Sequence, residues 1–150
     1  MLLNIKHKIM ENNKPFNFQV KGIEILETGL HTPKTPLDDS TNFGFDLQVE
    51  QSFNLENELG IITCAINILN NESKEKYGHF KASCLYYIED LENFIDKKNN
   101  TANFPENIVI MFNSISISTI RGVMYGAFRG TYLNGAILPV VDPNGITEKK

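Results

Sequence analysis

From Asn107 to Phe128 the chain reads NIVIMFNSISISTIRGVMYGAF, and Arg121 is the only charged residue in it. Ile108, Val109, Ile110, Ile115, Ile117 and Ile120 are β-branched, and Ser114 to Ser118 alternates with period 2, so a strand is a competing reading. Length favours a helix, because strands rarely exceed about ten residues. Apolar residues fall all round the helical wheel, which marks a helix buried on more than one side. The segment is long enough to span a membrane, but the polar residues spread through it, from Asn107 and Asn113 to Ser118 and Thr119, and the cost of Arg121 at mid-span argue against insertion. One face can pack on a sheet. The other then needs a partner, most simply a second copy across a symmetric interface. Ile115, Thr119, Gly122 and Gly126 are the residues expected there, the glycines allowing close approach.

The sequence before this segment supplies the sheet. Phe16, Phe18 and Val20 alternate, then Ile23 and Ile25 take over one residue out of phase, which predicts a β-bulge at Gly22. Thr32 to Ser40 has loop composition, with Pro33 and Pro36 and the adjacent Asp38 and Asp39. Phe43, Phe45, Leu47 and Val49 then hold one face of a strand while Asp46, Gln48 and Glu50 hold the other. Ile62, Cys64, Ile66 and Ile68 form the apolar face of a third strand. Phe80, Ala82, Cys84, Tyr86 and Ile88 form that of a fourth. The polar stretch Asn70 to Lys76 predicts a hairpin between these two. With Asn70 opposite Gly78, Cys64 falls opposite Cys84 on the core face. Glu89 and Asp90 suit the start of a short helix through Leu91, Phe94 and Ile95, ended by Lys97-Lys98-Asn99-Asn100. Phe104-Pro105-Glu106 opens the long helix.

The expected architecture is therefore α+β: a four-stranded antiparallel sheet packed by a long helix in the C-terminal half. At 150 residues one domain can bury about 68–70% of its unfolded surface. Residues 1–15 read as an N-terminal extension and 16–150 as the domain. Apolar residues are 41% and charged residues 21% of the chain, values of an ordinary globular protein. Fourteen Lys and Arg against eighteen Asp and Glu leave a formal charge of -4, with no basic stripe for a phosphate backbone, so nucleic acid is not an expected partner. Lys6 and Lys8 interrupt the only candidate leader, and a cytoplasmic location is the expectation. Cys64 and Cys84 lack partners at ligand-like spacing, which argues for buried thiols over zinc or a disulfide framework.

Arg129-Gly130-Thr131-Tyr132, followed by Leu138-Pro139-Val140, resembles the SecB family of protein-export chaperones, which place an Arg-Gly-Thr-aromatic run before Pro-Val at this spacing. Phe18-Gln19-Val20, Phe45-Asp46-Leu47 and the helix opening at Pro105, Asn107 and Ile108 occur in the family's order, so the likeness runs from Phe16 to Val141. The resemblance implies a homotetramer, a dimer of dimers that binds unfolded or nascent polypeptides in apolar grooves, without cofactor or catalysis. It also implies an acidic sheet surface that docks a translocation motor ATPase, here Glu24, Asp46 and Glu50. Two departures stand out. Arg121-Gly122 fits the family's helix length better than Arg129-Gly130, so eight residues between the pairs read as an insertion. The sequence also ends, at Lys150, too early for the family's second amphipathic helix. Divergent SecB-like proteins that serve toxin-antitoxin systems offer the nearest alternative: an interaction protein dedicated to one partner.

Phe112, Met124, Tyr125, Phe128, Tyr132 and Leu138 are the candidate groove residues, since soft and flat side chains adapt to varied peptides. Core packing explains them equally well. His7, His31 and His79 stand apart with no nucleophile signature beside them, and Asp38-Asp39 reads as a solvated turn. Gly122, Gly126 and Gly130 recur every four residues, a packing face rather than a phosphate cradle. A small-molecule pocket between helix and sheet is the remaining alternative. No metal and no cofactor are expected.

Overall fold

The strand periodicities produce a continuous antiparallel ladder. The computed structural model describes residues 7–8 and 15–142. The expected N-terminal extension, 1–15, falls almost wholly outside the described residues, as does 143–150 of the expected domain. Two short strands, β1 (His7–Lys8) and β2 (Pro15–Phe16), pair with each other. The main sheet holds β3 (Phe18–Leu30), β4 (Phe43–Asn54), β5 (Leu59–Asn70) and β6 (Lys76–Ile88), in the spatial order β3-β6-β5-β4. Strands β4, β5 and β6 form a meander joined by tight turns. β3 lies beside β6, so the Pro-containing connection 31–42 has to carry the chain from one edge of the sheet to the other.

The expected bulge is present: the β3–β6 register shifts between Val20 and Gly22, and again between Ile25 and Glu27. Directly paired residues of an antiparallel ladder project to the same face. The two shifts therefore bring Val20, Ile23, Ile25 and Leu30 opposite Tyr86, Cys84, Ala82 and Gly78, all on one face. We call this the inner face.

The β5–β6 hairpin corrects the expected register by two residues. Ile68, not Asn70, faces Gly78; Cys64 faces Ala82, and Cys84 faces Ile62. The cause is Asn70 itself. Its Oδ1 accepts the backbone N–H groups of Glu72 and Ser73, each at 2.9 Å, closing the turn early. Tyr77 is then bulged out of the ladder between Ile68 and Leu69. The two cysteines share the inner face, fully buried, as diagonal neighbours rather than opposite ones.

After β6 a 3₁₀ turn spans Leu91–Phe94, shorter than the expected helix. Ile95 instead begins β7 (Ile95–Asp96), which pairs with β8 (Thr101–Ala102). Lys97 to Asn100 form the hairpin turn, because Asp96 Oδ1 accepts the N–H groups of Lys98 and Asn99 at 3.0 and 3.2 Å. Helix α1 (Glu106–Ala127) follows Pro105, whose missing N–H costs nothing at a helix start. By length and composition α1 could cross a membrane. Here it lies on the inner face over β5 and β6, with Ile108, Phe112, Ser116, Ile120 and Met124 buried against them.

Beyond α1, Gly130 reverses the chain with φ +79°, the only positive-φ glycine among the described residues. The Thr131 hydroxyl donates to the Phe128 carbonyl at 2.7 Å, and the Tyr132 hydroxyl to the His31 carbonyl at 2.6 Å. The Arg-Gly-Thr-Tyr run is thus a helix stop tied to the sheet's end. The competing pair, Arg121-Gly122, lies inside the helix. Leu133 then presses onto Gly78, where an added Cβ would meet its Cδ1 at 2.6 Å and the Gly29 carbonyl at 2.8 Å.

Candidate functional site: two open flanks of one helix

Helix α1 is about 10 Å wide and strands are spaced about 4.8 Å, so one helix covers two strands and leaves the inner faces of two others uncovered. The side chains that follow from this are apolar. On β3, Val20, Ile23, Ile25, Leu26 and Leu30 are 42 to 54% exposed. On β4, Phe43, Phe45, Leu47 and Val49 are half-buried and touch the core only along one side. Among the described residues both strands are sheet edges, each with one unpaired rim of backbone N–H and C=O groups.

The helix presents a different flank to each edge. Phe112 turns toward β3, its ring centroid 5.0 Å from that of Phe18. Ile115, Thr119, Gly122 and Gly126 follow it at offsets of three and four and so share its flank. Space above both glycines is open: among the described residues nothing lies within 4 Å of a Cβ built on either. These four sequence-selected residues thus adjoin the exposed β3 stripe. On the other flank, Asn113 accepts a hydrogen bond from Gln51 of β4 at 3.0 Å. Just over two helical turns beyond it, Arg121 donates through Nε to the Leu138 carbonyl at 2.7 Å and through Nη2 to the Pro139 carbonyl at 2.9 Å. The segment after Tyr132 therefore turns back along the β4 flank.

Of the six groove candidates, Phe112, Met124, Phe128 and Leu138 are interior, no more than 4% exposed. Tyr125 and Tyr132 are open at 43% and 37%, and Tyr132 is engaged as a tether. The stripe on β3 escaped that selection because its alternation reads as any half-buried strand's. Only the width of a single helix reveals it.

The acidic candidates reach the outer face. Glu24 pairs with Ser83, Ser83 with Thr63, and Thr63 with Glu50, so Glu24 and Glu50 end one row across all four strands. Between them the Thr63 and Ser83 hydroxyls lie 2.7 Å apart. Asp46 faces the same way, opposite Asn67. His31 Nε2 and His79 Nδ1 are 3.2 Å apart, and His79 lies 3.9 Å from Glu27. Among the described residues no group of three or more His, Cys, Asp or Glu side chains stands close enough for a metal ion.

A four-stranded antiparallel sheet in the order β3-β6-β5-β4, carrying one long helix on its inner face, is the SecB-like α+β fold. Compared as a structure, the chain is similar to a SecB-like chaperone of Mycobacterium tuberculosis solved in complex with a ChAD peptide from the HigA1 antitoxin. The TM-score is 0.55 and the identity 12%, over 83% of this chain and 90% of that one. Compared by sequence, the chain matches no protein-family model and no curated protein.

Proposed function

We propose that this protein is a SecB-like molecular chaperone, a holdase that binds unfolded or nascent polypeptides and performs no catalysis. One observation carries the reading: a single helix leaves the apolar inner face of β3 exposed and that of β4 only half-buried, one at each edge of the sheet. Such faces beside unpaired backbone suit extended polypeptide, which contributes main-chain hydrogen bonds along the edge and apolar side chains into the groove. The solved SecB-like chaperone holding a peptide supports it.

The two flanks take different occupants. A second copy covers the β3 stripe together with Ile115, Thr119, Gly122 and Gly126, making a dimer or a dimer of dimers. The client lies on the β4 flank, along Phe45, Leu47 and Val49. Glu24, Asp46 and Glu50 on the outer face would dock a translocation motor ATPase, in a cytoplasmic export role. A second reading is favoured by the antitoxin peptide in the similar structure: service to one dedicated partner.

The test is aggregation of a chemically unfolded client at stoichiometric ratio, with solution mass by light scattering. Suppression by an oligomer supports the holdase. A strict monomer without suppression overturns it. Pull-down of one dominant partner, with no general suppression, favours the dedicated role.

A further inference from the structure

Residues 136–141 lie on the β4 flank in the manner of a bound peptide. Ala136 and Leu138 are 0% and 2% exposed, whereas Ile137 and Val140 are 55% and 92% exposed, and Val141 packs against the core. The segment is outside any helix or strand. Its backbone carbonyls at Leu138 and Pro139 are held by the Arg121 guanidinium. Upstream it is anchored by local turns, with Asn134 N–H bonded to the Thr131 carbonyl at 3.1 Å and Ala136 N–H to that of Leu133 at 2.9 Å. Gly135 passes Phe43, the first inner-face residue of β4.

This grip does not read sequence. Arg121 binds two main-chain oxygens, which every polypeptide offers, and the buried positions want only an apolar side chain of modest size. An extended apolar segment of a client presents the same features in the same order. We propose that residues 136–141 are a built-in strap that occupies the client groove on the β4 flank, and that an extended apolar segment of a client polypeptide displaces it to reach Arg121 and the apolar row of β4. The inference rests on the proposed chaperone function and names how its groove is regulated.

The energetics suit a gate. A tethered competitor acts at an effective concentration on the order of mM, so weak or short apolar segments lose to it while long ones that also engage the β4 edge win. The strap thereby sets a threshold: folded proteins with a stray exposed leucine are ignored, and unfolded chains are held. It also keeps the groove covered while no client is present.

The experiment uses a fluorescent synthetic peptide of the strap's own sequence, Leu133 to Val141, added in trans to the full chain. The wild-type protein should bind it poorly. Arg121→Ala, which frees the tethered strap while leaving the Leu138 pocket, and Leu138→Asp, which ejects the strap while leaving Arg121, provide two releases. The Leu138→Asp protein should bind the peptide about tenfold or more tightly than wild type, the scale of one charge-assisted hydrogen bond gained. Equal affinity of both variants and wild type overturns the strap. Should either variant fail to fold by circular dichroism, hydrogen exchange on the wild-type protein decides. Saturation with a reduced, carboxymethylated model polypeptide should raise exchange at the Ala136 amide, bonded to the Leu133 carbonyl at 2.9 Å, with α1 unchanged, and an unaltered Ala136 amide overturns the proposal. A wild-type protein that binds no unfolded polypeptide refutes the chaperone reading instead, and the peptide comparison still decides whether the groove is self-occupied.

Discussion

The Tyr86 hydroxyl of β6 stands 2.7 Å from the Ser116 hydroxyl of α1, both buried under the helix. This pair fixes the height and phase of α1 on the sheet, where apolar packing alone would tolerate sliding. Burial and its neighbours Cys84 and Cys64 keep the Tyr86 phenol neutral, its pKa pushed well up. Removing one partner leaves the other buried with less to bond. Tyr86→Phe and Ser116→Ala should each cost about 1–3 kcal/mol in urea unfolding, and the double variant less than the sum. Strict additivity would mean that the two hydroxyls do not cooperate.

Alkaline pH should weaken the fold before it reaches the surface lysines. Desolvation, with Cys84 nearby, pushes the Cys64 thiol from 9.0 up to about 12. Cys84 moves the same way, chiefly through burial, against the lowering effect of hydrogen bonds to Ser116 and Tyr86. Because the folded pKa is raised, the stabilisation is complete below the unfolded value and declines as pH climbs from 9.0 toward 12. The unfolding free energy from urea titration should fall above pH 9.0, by at most about 1.4 kcal/mol per pH unit and group. Cys64→Ala should flatten that slope. At neutral pH, iodoacetamide should leave both thiols unmodified until the protein unfolds.

Much of the fold was legible because its elements obey simple periods. The alternations around Phe45, Ile66 and Tyr86 and the uncharged run from Asn107 determine four strands and a helix. The bulge at Gly22 was visible as a slip in phase. What escaped depends on side-chain hydrogen bonds that no periodicity carries. Asn70 closes its turn two residues early and shifts the Cys64 register, and Asp96 makes a hairpin turn of Lys97 to Asn100. The site was half legible. Aromatic and methionine content selects Phe112, Met124 and Phe128, which the helix buries. The β3 stripe follows from a count of strands against helices, and the strap from Arg121, which in sequence was only an awkward charge in an apolar run.

Glycines in α1 separate subunit packing from chain stability. Gly122 and Gly126 have open space above them, so alanine at either should stabilise an isolated chain by about 0.5–1 kcal/mol. Gly122→Arg and Gly126→Arg should leave the circular dichroism spectrum intact yet reduce the mass seen by light scattering to that of one chain. Unchanged oligomer size with both arginines present would remove this flank from the interface.

The outer face carries its own prediction. Asp46 and Glu50 share β4, whereas Glu24 sits across three strand spacings, about 14 Å away. A partner that reads both edges must be wide and basic. Asp46→Lys with Glu50→Lys should abolish binding to a motor ATPase, measured by its salt-dependent association, while suppression of client aggregation persists. Retained association would place the contact elsewhere.

The β3 stripe admits a control that few surfaces allow, because the pleat of the strand puts apolar and acidic residues on opposite faces at successive positions. Ile23 and Ile25 face the helix side, and Glu24 between them faces outward beside Ser83. In a lone chain Ile23 and Ile25 are 42% and 54% exposed, so Ile23→Asp and Ile25→Asp cost the monomer little burial. Across a subunit interface each would bury an unpaired carboxylate, at about 3–5 kcal/mol. Sedimentation should therefore find monomers for Ile25→Asp and oligomers for Glu24→Gln at equal concentration. Monomers from both would implicate the strand's fold rather than its inner face, and oligomers from both would leave the stripe open to clients.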